Sequence, residues 1–139
     1  MTNDAVPRSC YIHGYPDDDG LTVVGDAEAA YQAIRAINHY TMGQPIHAPV
    51  LYTVLGNLKL LGPALAQALQ QAQTGLTTSL EVYEVYQDDG SDPAAAVAEA
   101  CELLARAAGH AGAVGSLLAD GQVAINQQGY HHHDAGGPA

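Results

Sequence analysis

The chain has 139 residues and sets 15 Asp or Glu against four Lys or Arg, a net charge of −11 at neutral pH. That balance excludes a basic footprint for gripping phosphates, so no direct nucleic-acid contact is expected, and it disfavours attraction to an anionic membrane. A single domain of this length buries a core without metal or disulfide staples. With no Phe or Trp that core is aliphatic, and eight Tyr supply all the aromatic area.

The acidic residues are unevenly placed. Six lie at or before Glu28 and nine at or after Glu81, so residues 29–80 carry none. Inside that window the only formal charges are Arg35 and Lys59. A solvated helix face is ordinarily charged, so this segment is expected to pack against something.

Residues 1–25 read as an irregular arm, punctuated by Pro7, Pro16, Asp17-Asp18-Asp19-Gly20 and Gly25. Leu21–Val24 is a candidate for a brief strand there. The first helix is predicted from Asp26, an N-cap with Glu28 in the first turn. Ala30, Ile34, Ile37 and Thr41 recur at helical spacing, and Gly43 and Pro45 stop it.

A second helix is predicted from Pro49, which suits a first turn. Leu51, Val54, Leu58, Leu61, Leu65, Ala68 and Ala72 alternate steps of three and four, a heptad-like seam widened by Leu55, Leu69 and Leu76. Gly62-Pro63 falls inside it. The proline removes one amide and crowds the Lys59 carbonyl, which predicts a kink. Residues 77–87 fit a capping box, Thr78 to Glu81, or a short strand, and helix is preferred from the neighbours.

Asp88-Asp89-Gly90-Ser91 reads as a turn, and Asp92 with Pro93 behind it is a strong helix start. Val97, Cys101, Leu104, Ala108, Ala111, Gly115, Leu118, Gln122 and Ile125 keep one register through three glycines, so one helix to about Gln128 is predicted. Each Gly costs on the order of 1 kcal/mol relative to Ala, and close approach to another helix would compensate. Residues 49–87 and 93–128 make matching arms, about 58 and 54 Å long if helical. The first helix, over 27–42, reaches only about 24 Å.

The expected fold is therefore all-α. It has a long antiparallel helical hairpin plus a shorter N-terminal helix, a three- or four-helix bundle over residues 26–128. A flexible His- and Gly-rich tail follows over 129–139. The bundle becomes four-helical if the long arm folds back at Gly62-Pro63 or Gly75.

Candidate sites are sparse. His131, His132 and His133 form the most obvious metal cluster, with imidazoles suited to zinc or nickel, but consecutive positions on a loose end converge poorly. The Asp clusters fail the EF-hand loop, because Tyr15 and Val85 would stand at its first ligand position. His39, His47 and His110 have no acid or Ser at motif spacing, and Cys101 lies on the apolar seam, so no catalytic residue is assigned. No phosphate-binding glycine loop and no carboxylate di-metal motif appear. Neither a disulfide framework nor a cofactor is implied by Cys10 and Cys101.

The expected function follows from the faces. Leu51, Val54, Leu58, Leu61 and Leu65, the uncharged Gln67, Gln70 and Gln71, and the seam of Leu104, Ala108, Ala111, Gly115 and Leu118 are the candidate interface. They suggest a non-enzymatic interaction or scaffold protein that binds a protein partner or itself, a dimer being favoured. An acidic nucleic-acid mimic that blocks a DNA-handling protein is the second reading, and a metal-binding protein the third. The N-terminus lacks a signal-peptide pattern and the most apolar stretch is interrupted by polar residues, so a cytoplasmic location and no membrane association are expected. An Ala-rich, Lys-poor composition points to a bacterial or phage origin.

Overall fold

The computed structural model describes residues 20–133. Among them it is all-helical, with α1 over Leu21–Thr41, α2 over Ala48–Val82 and α3 over Pro93–Ala124, and no strand. The chain divides into two compact units, one ending at Pro45 and one beginning at Ile46, each described here by itself. Cys10, the Asp17–Asp19 cluster, the rest of residues 1–19 and the tail end from Asp134 lie outside the described residues.

In the first unit α1 begins five residues before the predicted cap. Gly20 stands at its N-cap with φ 74°, a left-handed conformation that favours glycine. The Gly20 carbonyl accepts the Val24 amide at 3.1 Å. Leu21–Val24 is thus the first turn of a helix rather than a strand, and Asp26 is an interior position. No breaker separates the two stretches except Gly25, which a helix tolerates. Gly43, with φ 68°, ends the element.

The second unit is the antiparallel hairpin of α2 and α3. α2 starts at Ala48 with a proline in its first turn. It then runs through Pro63 as one element, so the arm does not fold back and the four-helix alternative within one chain is overturned. It ends where Tyr83 turns extended and donates its amide to the Ser79 carbonyl at 2.9 Å. Of the ambiguous segment, residues 77–82 are helix and 83–87 are neither helix nor strand.

The turn is built from its own side chains. Gly90 has φ 77° and donates to the Gln87 carbonyl at 3.0 Å. One Asp89 carboxylate oxygen accepts the Ser91 amide at 2.9 Å and the Ser91 hydroxyl at 2.6 Å. Asp92 then caps α3 by accepting the Ala94 amide at 3.1 Å, with Pro93 behind it, as the sequence predicts.

The arms meet closest at two glycines. A Cβ on Gly62 would lie 2.6 Å from the Ala111 carbonyl oxygen and 2.7 Å from the Gly115 Cα. A Cβ on Gly115 would lie 3.0 Å from the Lys59 carbonyl oxygen and 3.1 Å from the Pro63 Cδ. Pro63 has no amide for that Lys59 carbonyl, so the surface beside the proline is flat backbone, and the bare backbone of Gly115 fits it. By contrast Gly109 and Gly112 meet nothing within 4 Å. The expected compensation by close approach holds at Gly115 and not at those two.

Around this crossing Ala48, Gly62, Val97, Ala108, Ala111, Gly115 and Gln122 are buried. Leu51, Leu55, Leu58, Ala66, Leu69 and Leu76 of α2 are half-buried. Every position of the α3 seam, from Val97 to Ile125, is buried or half-buried. On α2 the packed line drifts off the predicted one: Gly62, Ala66 and Leu69 face α3, while Leu61, Leu65, Ala68 and Ala72 are exposed. The smaller residues lie at the crossing because they allow the closer interaxial approach.

Gly62→Ala should lose about 3 kcal/mol, the upper range for overpacking, because the atoms it meets are backbone. Gly109→Ala should gain up to about 1 kcal/mol from helix propensity. Urea denaturation of both variants measures the opposed signs. In the turn, the Ser91 hydroxyl and amide hold the Asp89 carboxyl below its ordinary value. The resulting stabilisation is present above the ordinary carboxylate pKa and is lost as pH falls through the lowered one. An NMR titration of Ser91→Ala should show the Asp89 pKa rising.

Candidate functional site: an apolar face of the hairpin

Each helix of the hairpin has a packed seam and two flanks. A residue one position before a seam residue lies about 100° to one side of it, and one position after lies about 100° to the other. Because the helices are antiparallel, the two preceding flanks share one face of the hairpin and the two following flanks share the opposite face. On α2 the preceding positions include Val54, Leu61, Leu65, Ala68 and Ala72; on α3 they include Ala100, Leu103, Ala107, His110, Val114 and Leu117. All of these but His110 are apolar. The following positions include Gln67, Gln70, Thr74, Thr77 and Glu81 on α2, and Glu102, Gly109, Gly112 and Ser116 on α3.

The apolar face is open. Leu61 is 49 % exposed, Leu65 52 %, Leu103 53 % and Val114 52 %. Val54, Leu58, Leu104 and Leu118 line its inner edge and are half-buried. No carboxylate of the two helices lies on it: Glu81 and Glu102 follow seam residues, and Glu99 and Asp120 point away from the partner helix. A contiguous apolar patch of this kind marks an interaction surface more often than a solvated one.

The candidate interface residues therefore separate into three groups. Leu61 and Leu65 are exposed on the apolar face, and Leu51, Val54, Leu58, Leu104 and Leu118 are shared between it and the hairpin seam. Ala108, Ala111 and Gly115 are buried against α2. Their expected role in a partner contact is corrected, because α2 already covers them. Gln67, Gln70 and Gln71 are exposed, but off the apolar face. Gln67 is two residues, about 200°, from Leu65.

Two polar devices hold the open end of the hairpin. The Lys59 ammonium donates to the Gln122 side-chain oxygen at 2.7 Å, and the Gln122 amide donates to the Tyr52 carbonyl at 3.0 Å. Gly56 makes this possible, since a Cβ there would lie 2.8 Å from the Gln122 nitrogen. Nearer the end, the His47 and Tyr130 rings stack with centroids 4.0 Å apart, and His132 meets Tyr130 edge-on at 5.7 Å. The tail is thus drawn onto the start of α2 as far as Tyr130. His47 Nδ1 is buried there without a hydrogen-bond partner. Sequence reading placed Gln122 in the seam but missed both devices; a Lys and a Gln facing the same groove was the available signal.

The polar face carries less chemistry than its hollows suggest. A hollow of about 300 Å³ is lined by Gln73, Thr74, Thr77, Thr78 and Cys101. The Cys101 thiol lies 3.7 Å from the Gln73 carbonyl and 3.6 Å from the Thr77 hydroxyl. Neither neighbour is a base that would generate a thiolate. A second hollow, about 320 Å³, lies between Lys59, Pro63, Gly112 and Ser116. Among the described residues no group of three or more His, Cys, Asp or Glu could hold a metal ion, so His131, His132 and His133 are not gathered into a ligand set. Among them also, no helix is long and apolar enough to cross a membrane.

Comparison with protein-family models, with curated proteins and with solved structures returns no match.

Gln122→Leu should destabilise the hairpin by about 1–2 kcal/mol, since it leaves the Lys59 ammonium without its acceptor. A double-mutant cycle with Lys59→Met, followed by thermal denaturation, should return a coupling of about 1 kcal/mol.

Proposed function

We propose that this chain is a non-enzymatic interaction protein whose working surface is the apolar face of the α2–α3 hairpin. The observation that carries the reading is the run of exposed Leu61, Leu65, Leu103 and Val114 on one carboxylate-free face of a chain with net charge −11. An acidic chain that meets a partner through this face associates by removing apolar surface from water. The rest of its surface keeps it soluble and repels non-specific contacts.

The reading fixes the sign of the salt dependence. Contact through an uncharged face holds or strengthens as salt screens the repulsion between acidic surfaces. An acidic decoy seated in a basic groove would weaken steeply with salt. In-cell crosslinking of the full chain should yield species above the monomer mass. Leu61→Lys and Val114→Lys should lose them while far-UV circular dichroism stays helical. Crosslinked species that are identical in wild type and variants, or complexes that dissociate steeply between about 50 and 500 mM salt, would count against the proposal.

A further inference from the structure

We infer that the apolar face is covered by a second copy of this chain, two hairpins packing face to face into a four-helix bundle. The inference rests on the interaction reading above and names its partner. Three observations lead to it.

The hairpin needs a cover in order to be a stable layer. Helical faces are stable when each apolar stripe is buried against another element. Here the buried apolar residues among those described are Ala48, Val97, Ala108 and Ala111, and none of the large side chains is fully buried. The seam leucines Leu51, Leu55, Leu69 and Leu76 are only half-buried, and Leu61, Leu65, Leu103 and Val114 are open on the face. A surface whose burial the fold itself requires is suited to an occupant that is always present, and another copy meets that condition.

The size also fits. The strip from Val50 to Ala72 is about 33 Å long, and two helices side by side are about 20 Å across. That is roughly 660 Å² in projection, close to the ~800 Å² per partner of a stable complex.

Charge selects the face. A two-fold contact sets one surface patch against its own copy, residue i meeting j and j meeting i, so the patch must be compatible with itself. With 15 carboxylates against four basic side chains, most of this chain repels its own copy. The strip bearing Leu61, Leu65, Leu103 and Val114 is the hairpin face that carries no carboxylate, and it is self-complementary because apolar surface is non-directional. The opposite face carries Glu81 and Glu102 and would place acid against acid.

Sedimentation equilibrium of the purified full chain at tens of micromolar tests the inference. A dimer is expected. Leu65→Lys and Val114→Lys should shift the equilibrium to monomer by at least a hundredfold in dissociation constant, whereas Leu60→Lys, on the outward side of α2, should leave it unchanged. If the lysine variants unfold, the wild type still decides. A dimer's melting temperature should rise by about 2–3 °C per tenfold increase in concentration. A wild-type monomer with a concentration-independent melting temperature overturns the second copy as occupant. Should in-cell crosslinks at Leu61 persist in that case, the interaction surface stands and its partner is another protein. If the crosslinks are absent too, both readings fall.

Discussion

The backbone-to-backbone crossing of α2 and α3 at Gly62 and Gly115 is the constraint on which the rest of the hairpin depends. No side chain separates the arms there, so the register of one against the other is set by backbone shape. Pro63 takes part by a subtraction. It removes the amide that would have bonded the Lys59 carbonyl, and Gly115 brings its bare backbone against the resulting surface. A proline expected to kink the helix becomes a docking point, and α2 continues through it as one element.

Close approach has a consequence for the core. Helices this near together have room only for Ala and Gly at the crossing, while Leu51, Leu55, Leu69 and Leu76 stay half-buried along the seam. Leu61, Leu65, Leu103 and Val114 are left on an open face. What the small core lacks in area it partly recovers in specificity. Lys59, Gln122 and the Tyr52 carbonyl form one connected set of hydrogen bonds, and the His47–Tyr130 stack closes the same end. Polar contacts of this kind fix register, because a slip of one residue leaves a buried amide unpaired.

The two flanks of the hairpin differ in chemistry. One is mostly Val, Leu and Ala, with His110 and no carboxylate; the other is largely Thr, Gln, Gly and Ser with Glu81 and Glu102. Cys101 lies beside a carbonyl and a hydroxyl, and His47 is one ring of the stack.

Sequence alone determined the helical class, the hairpin, the Asp92-Pro93 start of α3 and the register of α3 from Val97 to Ile125. A single narrow stripe of small apolar residues leaves only one way to face a partner. It did not determine the start of α1, because Asp26 is as good a cap as Gly20 when only local chemistry is read. On α2 it marked Leu61 and Leu65 as packed, since the apolar stripe is broad and hydrophobicity favours the larger side chains. The tertiary structure decided otherwise: helix–helix distance selects the smallest residues for the crossing, so α3 lies on the Gly62–Ala66 edge of the stripe. The acid-free composition of residues 29–80 was legible from the first; which side of α2 it leaves open was settled by where two glycines let the backbones meet.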